Sequence, residues 1–190
     1  MAVLGLGHDV VDVAAFGAQL AEPGTRMRAL FSARESRQAA LRGRLKGDGE
    51  AVHLAARWAG KEAVLKAWCE ALSSSGGHPG QGTAGGVGDG HASAAGPAVP
   101  AASPYTLDDF PWPFVEILDD ARGVPHVVLA ADVEDRLVSS LWPAGVAGRA
   151  DGGGHADWSV GSAARLTWHV SLSHDGPVAS AVVLLELRRP

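Results

Sequence analysis

With 190 residues, 46% of them apolar, and a mean hydropathy of +0.06, the chain has material for one ordinary hydrophobic core, which excludes a wholly disordered polypeptide. Its longest apolar runs, such as VASAVVLLEL, are about half the length a bilayer-spanning helix needs, and a single cysteine, Cys69, excludes an intramolecular disulfide and a thiolate metal cluster. The net charge of −5 conceals a reversal: from Arg26 to Lys66 ten basic residues face four acidic ones, a local +6 that suits an anionic partner or a solvated arginine-rich helix face.

Residues 2 to 13 predict a buried strand, with alternation after Gly7 and no helical period. On a pleated strand Gly5, Gly7, Asp9 and Val11 share one face, where the carboxylate is out of place. The stretch has no basic leader and is interrupted by Asp9 and Asp12, so it does not read as a signal peptide; a reducing cytoplasm is the expected compartment. Residues 14 to 46 look helical, with breaks at Pro23-Gly24 and around LFSARE. Ser32 followed by Glu35 has capping-box spacing and predicts a helix start. Residues 50 to 72 form the longest helical pattern.

Within that helix, WAGKEAVLKA places Trp58, Glu62 and Lys66 on one stripe, with Lys61 beside them. Glu62 and Lys66 could form an ordinary i,i+4 ion pair or handle a charged ligand, and the spacing alone leaves both open. Residues 73–104 are almost entirely Gly, Ala, Ser, Pro and Thr and predict a flexible insertion, as does the Gly-rich stretch 143–163, within a single domain spanning 1–190. Between them PFVEILDD and PHVVLAA predict a β-hairpin, and DVEDRLVSSLW a helix. RLTWHVSLSHD and PVASAVVLLEL predict two strands joined at an Asp-Gly turn. The histidines in the insertions, His78, His91 and His155, share no ligand spacing, and GLGHDV lacks the third glycine and following helix of a dinucleotide fingerprint.

Three segments together are more specific than any one. Gly7-His8-Asp9, Trp58 through Ala67 and Ser171 to His174, with LFSARE between the first two, resemble the motifs of the holo-acyl-carrier-protein synthase family of 4′-phosphopantetheinyl transferases. The resemblance covers roughly residues 2–72, 114–142 and 167–187, and the K-E-A-x-x-K-A match carries most of its weight. His8 departs from the threonine or aliphatic residue expected beside the aspartate, but points to the opposite face of the strand.

The resemblance implies an α+β fold, an antiparallel sheet packed against a long helix, and transfer of 4′-phosphopantetheine from coenzyme A to a serine of apo-acyl carrier protein in fatty-acid biosynthesis, leaving 3′,5′-ADP. It implies Asp9 and Glu62 as ligands of Mg²⁺, Lys66 as a contact to the diphosphate, and Glu62 as the base for the serine. Ser173 and His174 are implied near the coenzyme phosphates, and Arg57 near the 3′-phosphate. It further implies a homotrimer with sites between subunits, and an acidic carrier docked on Arg26, Arg28, Arg34, Arg37 or Arg42. Rival readings are a catalytically silent homologue that binds coenzyme A or carrier protein, and a transferase serving secondary-metabolism carriers. A nucleic-acid binder is disfavoured by the net charge and by the lack of aromatic interleaving in the basic segment.

Overall fold

The computed structural model describes residues 2–75, 105–106, 108–141 and 165–188. Strand β1 (Ala2–Asp12) leads into helix α1 (Val13–Ala21), capped by the Asp12 carboxylate, which accepts from the Ala15 N–H at 2.8 Å. A 3₁₀ turn at Met27–Leu30 precedes helix α2 (Ala33–Lys46). Helix α2 starts at the Ser32–Glu35 capping box and stops at Gly47, whose φ of 73° suits glycine. Helix α3 (Glu50–Ser75) runs three residues into the predicted insertion at 73–104; the remainder of that insertion and the one at 143–163 lie outside the described residues. The hairpin of β2 (Val115–Asp119) and β3 (Pro125–Leu129), helix α4 (Ala131–Leu141), and strands β4 (Arg165–Asp175) and β5 (Val178–Arg188) complete the described chain.

The main sheet has the order β1-β5-β4, antiparallel throughout, and β2-β3 forms a separate two-stranded sheet. Helix α3 lies across β1 and β5, over the buried side chains of Ala179, Ala181, Val183 and Leu185. Small residues make this close crossing feasible: Ala59, Ala63, Ala67 and Ala71 recur every four positions and are all buried. Opposite them stand Gly5 and Gly7, where an added β-carbon would overlap the carbonyl oxygens of Ala67 and Ala63. One apolar cluster lies between the second half of α3, α4 and the strands; a second gathers Phe16, Leu20 and Phe31 around Leu54.

A buried charge pair ties α2, α3 and β2 together. The Glu35 carboxylate accepts from the Ser32 N–H at 2.9 Å, the Ile117 N–H at 3.0 Å and Lys61 Nζ at 2.9 Å. Lys61 Nζ also donates to the Trp112 and Val115 carbonyls, at 2.7 and 2.6 Å, so its three donors all have acceptors although the side chain is fully buried. The cap of one helix is thus also the anchor of the next.

The sheet face turned away from α3 exposes Val3, Leu6, Val10 and Val182, at 63, 52, 54 and 44% exposure. This is a row of large apolar side chains on one surface of β1 and β5.

Candidate active site

The close approach of α3 to β1 decides where the charged residues meet. Asp9 sits one pleat beyond Gly7 on the same face of β1, and Lys66 reaches across from α3: its Nζ lies 2.7 Å from Asp9 Oδ1 and 3.2 Å from the His8 carbonyl oxygen. Glu70, one turn further on, accepts the Leu6 N–H. Lys66 and Glu70 therefore cover the free edge of β1, while the His8 side chain is exposed on the far face. The ion-pair partner recorded for Lys66 is Asp9 rather than the helical neighbour Glu62.

Glu62 joins Asp9 in a cleft of about 370 Å³, lined also by Asp12, Phe16, Gln19 and Trp58. Trp58 packs against Trp112 with the rings tilted at 46° and 4.8 Å apart, and meets Phe31 edge-on at 6.2 Å, which backs the aromatic side of the cleft. Burial, and then the negative charge of Asp9, push the Glu62 carboxyl above its usual range, with Lys66 working the other way. Two carboxylates that repel each other across a cleft are an oxygen donor set suited to a hard cation.

His174 lies in a second cleft of about 130 Å³, with Arg42, Lys46, His53, Arg57 and Asp119 among its lining residues. Arg57 is buried there: it donates to Asp119 at 2.9 Å, to the His53 carbonyl at 3.1 Å and to Gln38 at 3.3 Å. Burial pushes its guanidinium below the ordinary arginine range, and its Nε has no hydrogen-bond partner among the described residues. Arg42 shares the Asp119 carboxylate at 3.3 Å. Ser173 pairs with Ser180 in the row that continues to Val10, so its side chain faces the outer surface, away from His174.

The two clefts flank α3. Arg57 and Lys66 are nine residues apart, about 2.5 helical turns, and so point to opposite sides of the helix. The structure brings Asp9, Glu62 and Lys66 together, and Arg57 and His174 together, but does not join the two groups within one chain. Among the arginines considered for docking, Arg28 pairs with Glu50 at 3.3 Å, Arg34 with Glu116 and Arg42 with Asp119, whereas Arg26 and Arg37 are exposed.

The family model described as the 4′-phosphopantetheinyl transferase superfamily matches residues 5–79, which include Asp9, Glu35, Lys61, Glu62 and Lys66. The chain is 50% identical over 186 residues to a holo-[acyl-carrier-protein] synthase of Bifidobacterium animalis, covering 98% of this chain and 99% of the relative. It is also 50% identical to the corresponding protein of Bifidobacterium adolescentis, with 97% and 100% covered. This chain belongs to the holo-[acyl-carrier-protein] synthase family. A solved member of the family, the Chronobacterium ammoniagenes ACPS-CoA complex, superposes with a TM-score of 0.63 at 26% identity over the full length of both chains. The α+β transferase fold expected from the motifs is the fold found. No helix among the described residues is long and apolar enough to cross a membrane.

Several residues that shape the family site escaped sequence reasoning. The buried role of Lys61 was hidden, because a lysine amid alanines reads equally as surface. Glycines at 5 and 7 within a strand did signal a close backbone approach, although not which element approaches. Asp48 and His53, which gather at His174, carried no spacing that linked them.

Proposed function

We propose that this chain transfers 4′-phosphopantetheine from coenzyme A to a serine hydroxyl of apo-acyl carrier protein, yielding holo-carrier and 3′,5′-ADP, in fatty-acid biosynthesis in the cytoplasm. The observation that carries this reading is the convergence of Asp9, Glu62 and Lys66 on one side of α3, in a family whose relatives are named for this activity.

Asp9 and Glu62 are the residues to hold Mg²⁺, and a Glu62 carboxyl raised first by burial and then by the charge of Asp9 supports the fit. When bound, the ion neutralises diphosphate charge and favours departure of the 3′,5′-ADP group. Lys66 holds a half-exposed ammonium, paired among the described residues with Asp9 and a backbone carbonyl, which a diphosphate oxygen can draw away as charge develops there. Glu62 Oε is placed to take the serine proton, and its raised carboxyl makes it a better base than an ordinary surface glutamate. Trp58 and Phe16 give that side of the cleft an apolar aromatic lining.

In the cleft across α3, His174 and the Nε of Arg57 are candidate contacts for the coenzyme phosphates. Because the two clefts lie on opposite sides of α3, we read the active site as formed between copies. The apolar outer face of Val3, Leu6, Val10 and Val182 supports a homotrimer with such shared sites. Exposed Arg26 and Arg37 offer basic contacts to an acidic carrier.

The test is mass spectrometry of an apo-carrier incubated with the protein, coenzyme A and Mg²⁺. A carrier heavier by phosphopantetheine, unshifted with EDTA or with Glu62→Ala, supports the reading. Coenzyme A binding without any shift, across several carriers, points instead to a silent homologue.

A further inference from the structure

Two glycines in the left-handed region, Gly47 with φ 73° and Gly49 with φ 86°, flank Asp48 in the link between α2 and α3. This tight link folds Asp48 back over the first turns of α3, where its Oδ1 lies 2.9 Å from His53 Nε2. His174 arrives from the end of β4, and its ring meets that of His53 edge-on at 5.4 Å and 89°. The α2–α3 link and the start of α3, joined by the distant end of β4, thus deliver one carboxylate and two imidazoles whose ligating atoms all lie within 4.8 Å of one another.

We propose that Asp48, His53 and His174 form a site for a divalent transition ion of the Zn²⁺ class, distinct from the all-carboxylate pair of Asp9 and Glu62. Two imidazole nitrogens and one oxygen are the donor set that borderline ions prefer and that Mg²⁺ does not. Bond lengths near 2.0–2.1 Å at tetrahedral angles place ligand atoms about 3.3 Å apart, so a rotation of the partly buried His174 ring would close the set. His53 is buried, so its ring is held in place beside Asp48. In the adjoining cleft Arg42 and Arg57 share the Asp119 carboxylate, and Lys46 adds a further positive charge that an anion in the open position would offset. The fourth coordination position faces that cleft and is open to water or an anion.

The experiment titrates Co²⁺ into the metal-free, tag-free full chain and follows the visible bands of four-coordinate cobalt, then displaces the ion with Zn²⁺ and, separately, with excess Mg²⁺. The expected result is one cobalt per chain, displaced by Zn²⁺ and not by Mg²⁺. His174→Ala and Asp48→Ala should each weaken binding by more than the roughly 10- to 100-fold that an outer partner commands. Both positions are more exposed than His53, so these variants should keep the fold, and a thermal melt checks it. Absence of the four-coordinate bands at stoichiometric protein overturns the proposal, as do bands unchanged in both variants. The readout needs neither coenzyme A nor carrier, so its failure is separate from a failure of the transferase reading.

Discussion

Gly7 on β1 lies directly against the Ala63 carbonyl on α3, and this backbone contact sets the gap across which Asp9, two residues on, faces Glu62 and Lys66. A methyl at position 7 has no room, because its neighbours are helix backbone atoms, with the Ala63 carbonyl carbon and Ala67 nitrogen both 2.8 Å away. Gly7→Ala is expected to destabilise by at least the ~1–3 kcal/mol of ordinary overpacking. At roughly 2–4 °C per kcal/mol, a thermal melt reads the loss directly. An unchanged melting temperature would mean that α3 does not lie on β1 as described.

The buried pair of Lys61 and Glu35 gives a second prediction. Lys61→Met leaves the Glu35 carboxylate without its counter-charge at a site with no solvent exposure, so urea denaturation should show a loss of about 3–5 kcal/mol. Glu35→Gln removes the charge but keeps only one of the two oxygens that accept from the Ser32 and Ile117 N–H groups, so in the Lys61→Met background it should recover part of that loss and not all of it. No recovery would indicate that packing, rather than charge, dominates at Lys61.

Glu62 should show a trade between stability and function. Its carboxyl is raised in the folded chain above the unfolded value of 4.5, so the folded state binds its proton more tightly than the unfolded state does. The cost of the ionised group is absent below about pH 4.5, grows as pH rises through the folded pKa, and is fully present above it. Glu62→Gln should therefore raise the melting temperature of the metal-free protein at neutral pH, with the gain shrinking as pH falls toward 4.5. A gain that is the same at every pH would rule out ionisation as its source.

Lys66 is half-exposed, so its pairing with Asp9 contributes only ~0–1 kcal/mol to stability. Lys66→Met should leave the melt nearly unchanged while lowering the rate of carrier modification by about 10²- to 10³-fold, the range for removing one charge-stabilising group. Equal losses of stability and activity would instead place Lys66 in a structural role.

If the proposed site is shared between copies, two inactive variants should rescue each other. Asp9→Ala damages the cleft on one side of α3 and His174→Ala the cleft on the other. Co-expression with random mixing should restore roughly a quarter of the sites, each built from the intact cleft of either partner. Rescue should vanish when Leu6→Lys is added to both chains, because that charge lies on the exposed apolar face expected to join them. Mixed protein no more active than either variant alone would mean that each chain works by itself.

The sequence by itself determined the local elements and the chemistry of the motif residues. Ser32 and Glu35 announced the start of α2 because a capping box needs only neighbours three residues apart. The Asp-Gly turn and the strand alternation fixed the β4–β5 hairpin for the same local reason. Which side chains meet was beyond that reach. The i,i+4 rule pairs Glu62 with Lys66, yet Lys66 goes to Asp9, more than fifty residues away, because two glycines let a strand edge come within reach of the helix. Nothing in the sequence pointed to burial of Lys61, placed only beside the Glu62–Lys66 stripe, or of Arg57, implied near the 3′-phosphate; the packing of α2 and β2 over α3 buries them against Glu35 and Asp119. The nine-residue spacing already turned Arg57 and Lys66 to opposite sides of α3, but which residues meet each of them there depends on where the sheet and α2 lie, and that no spacing along the chain encodes.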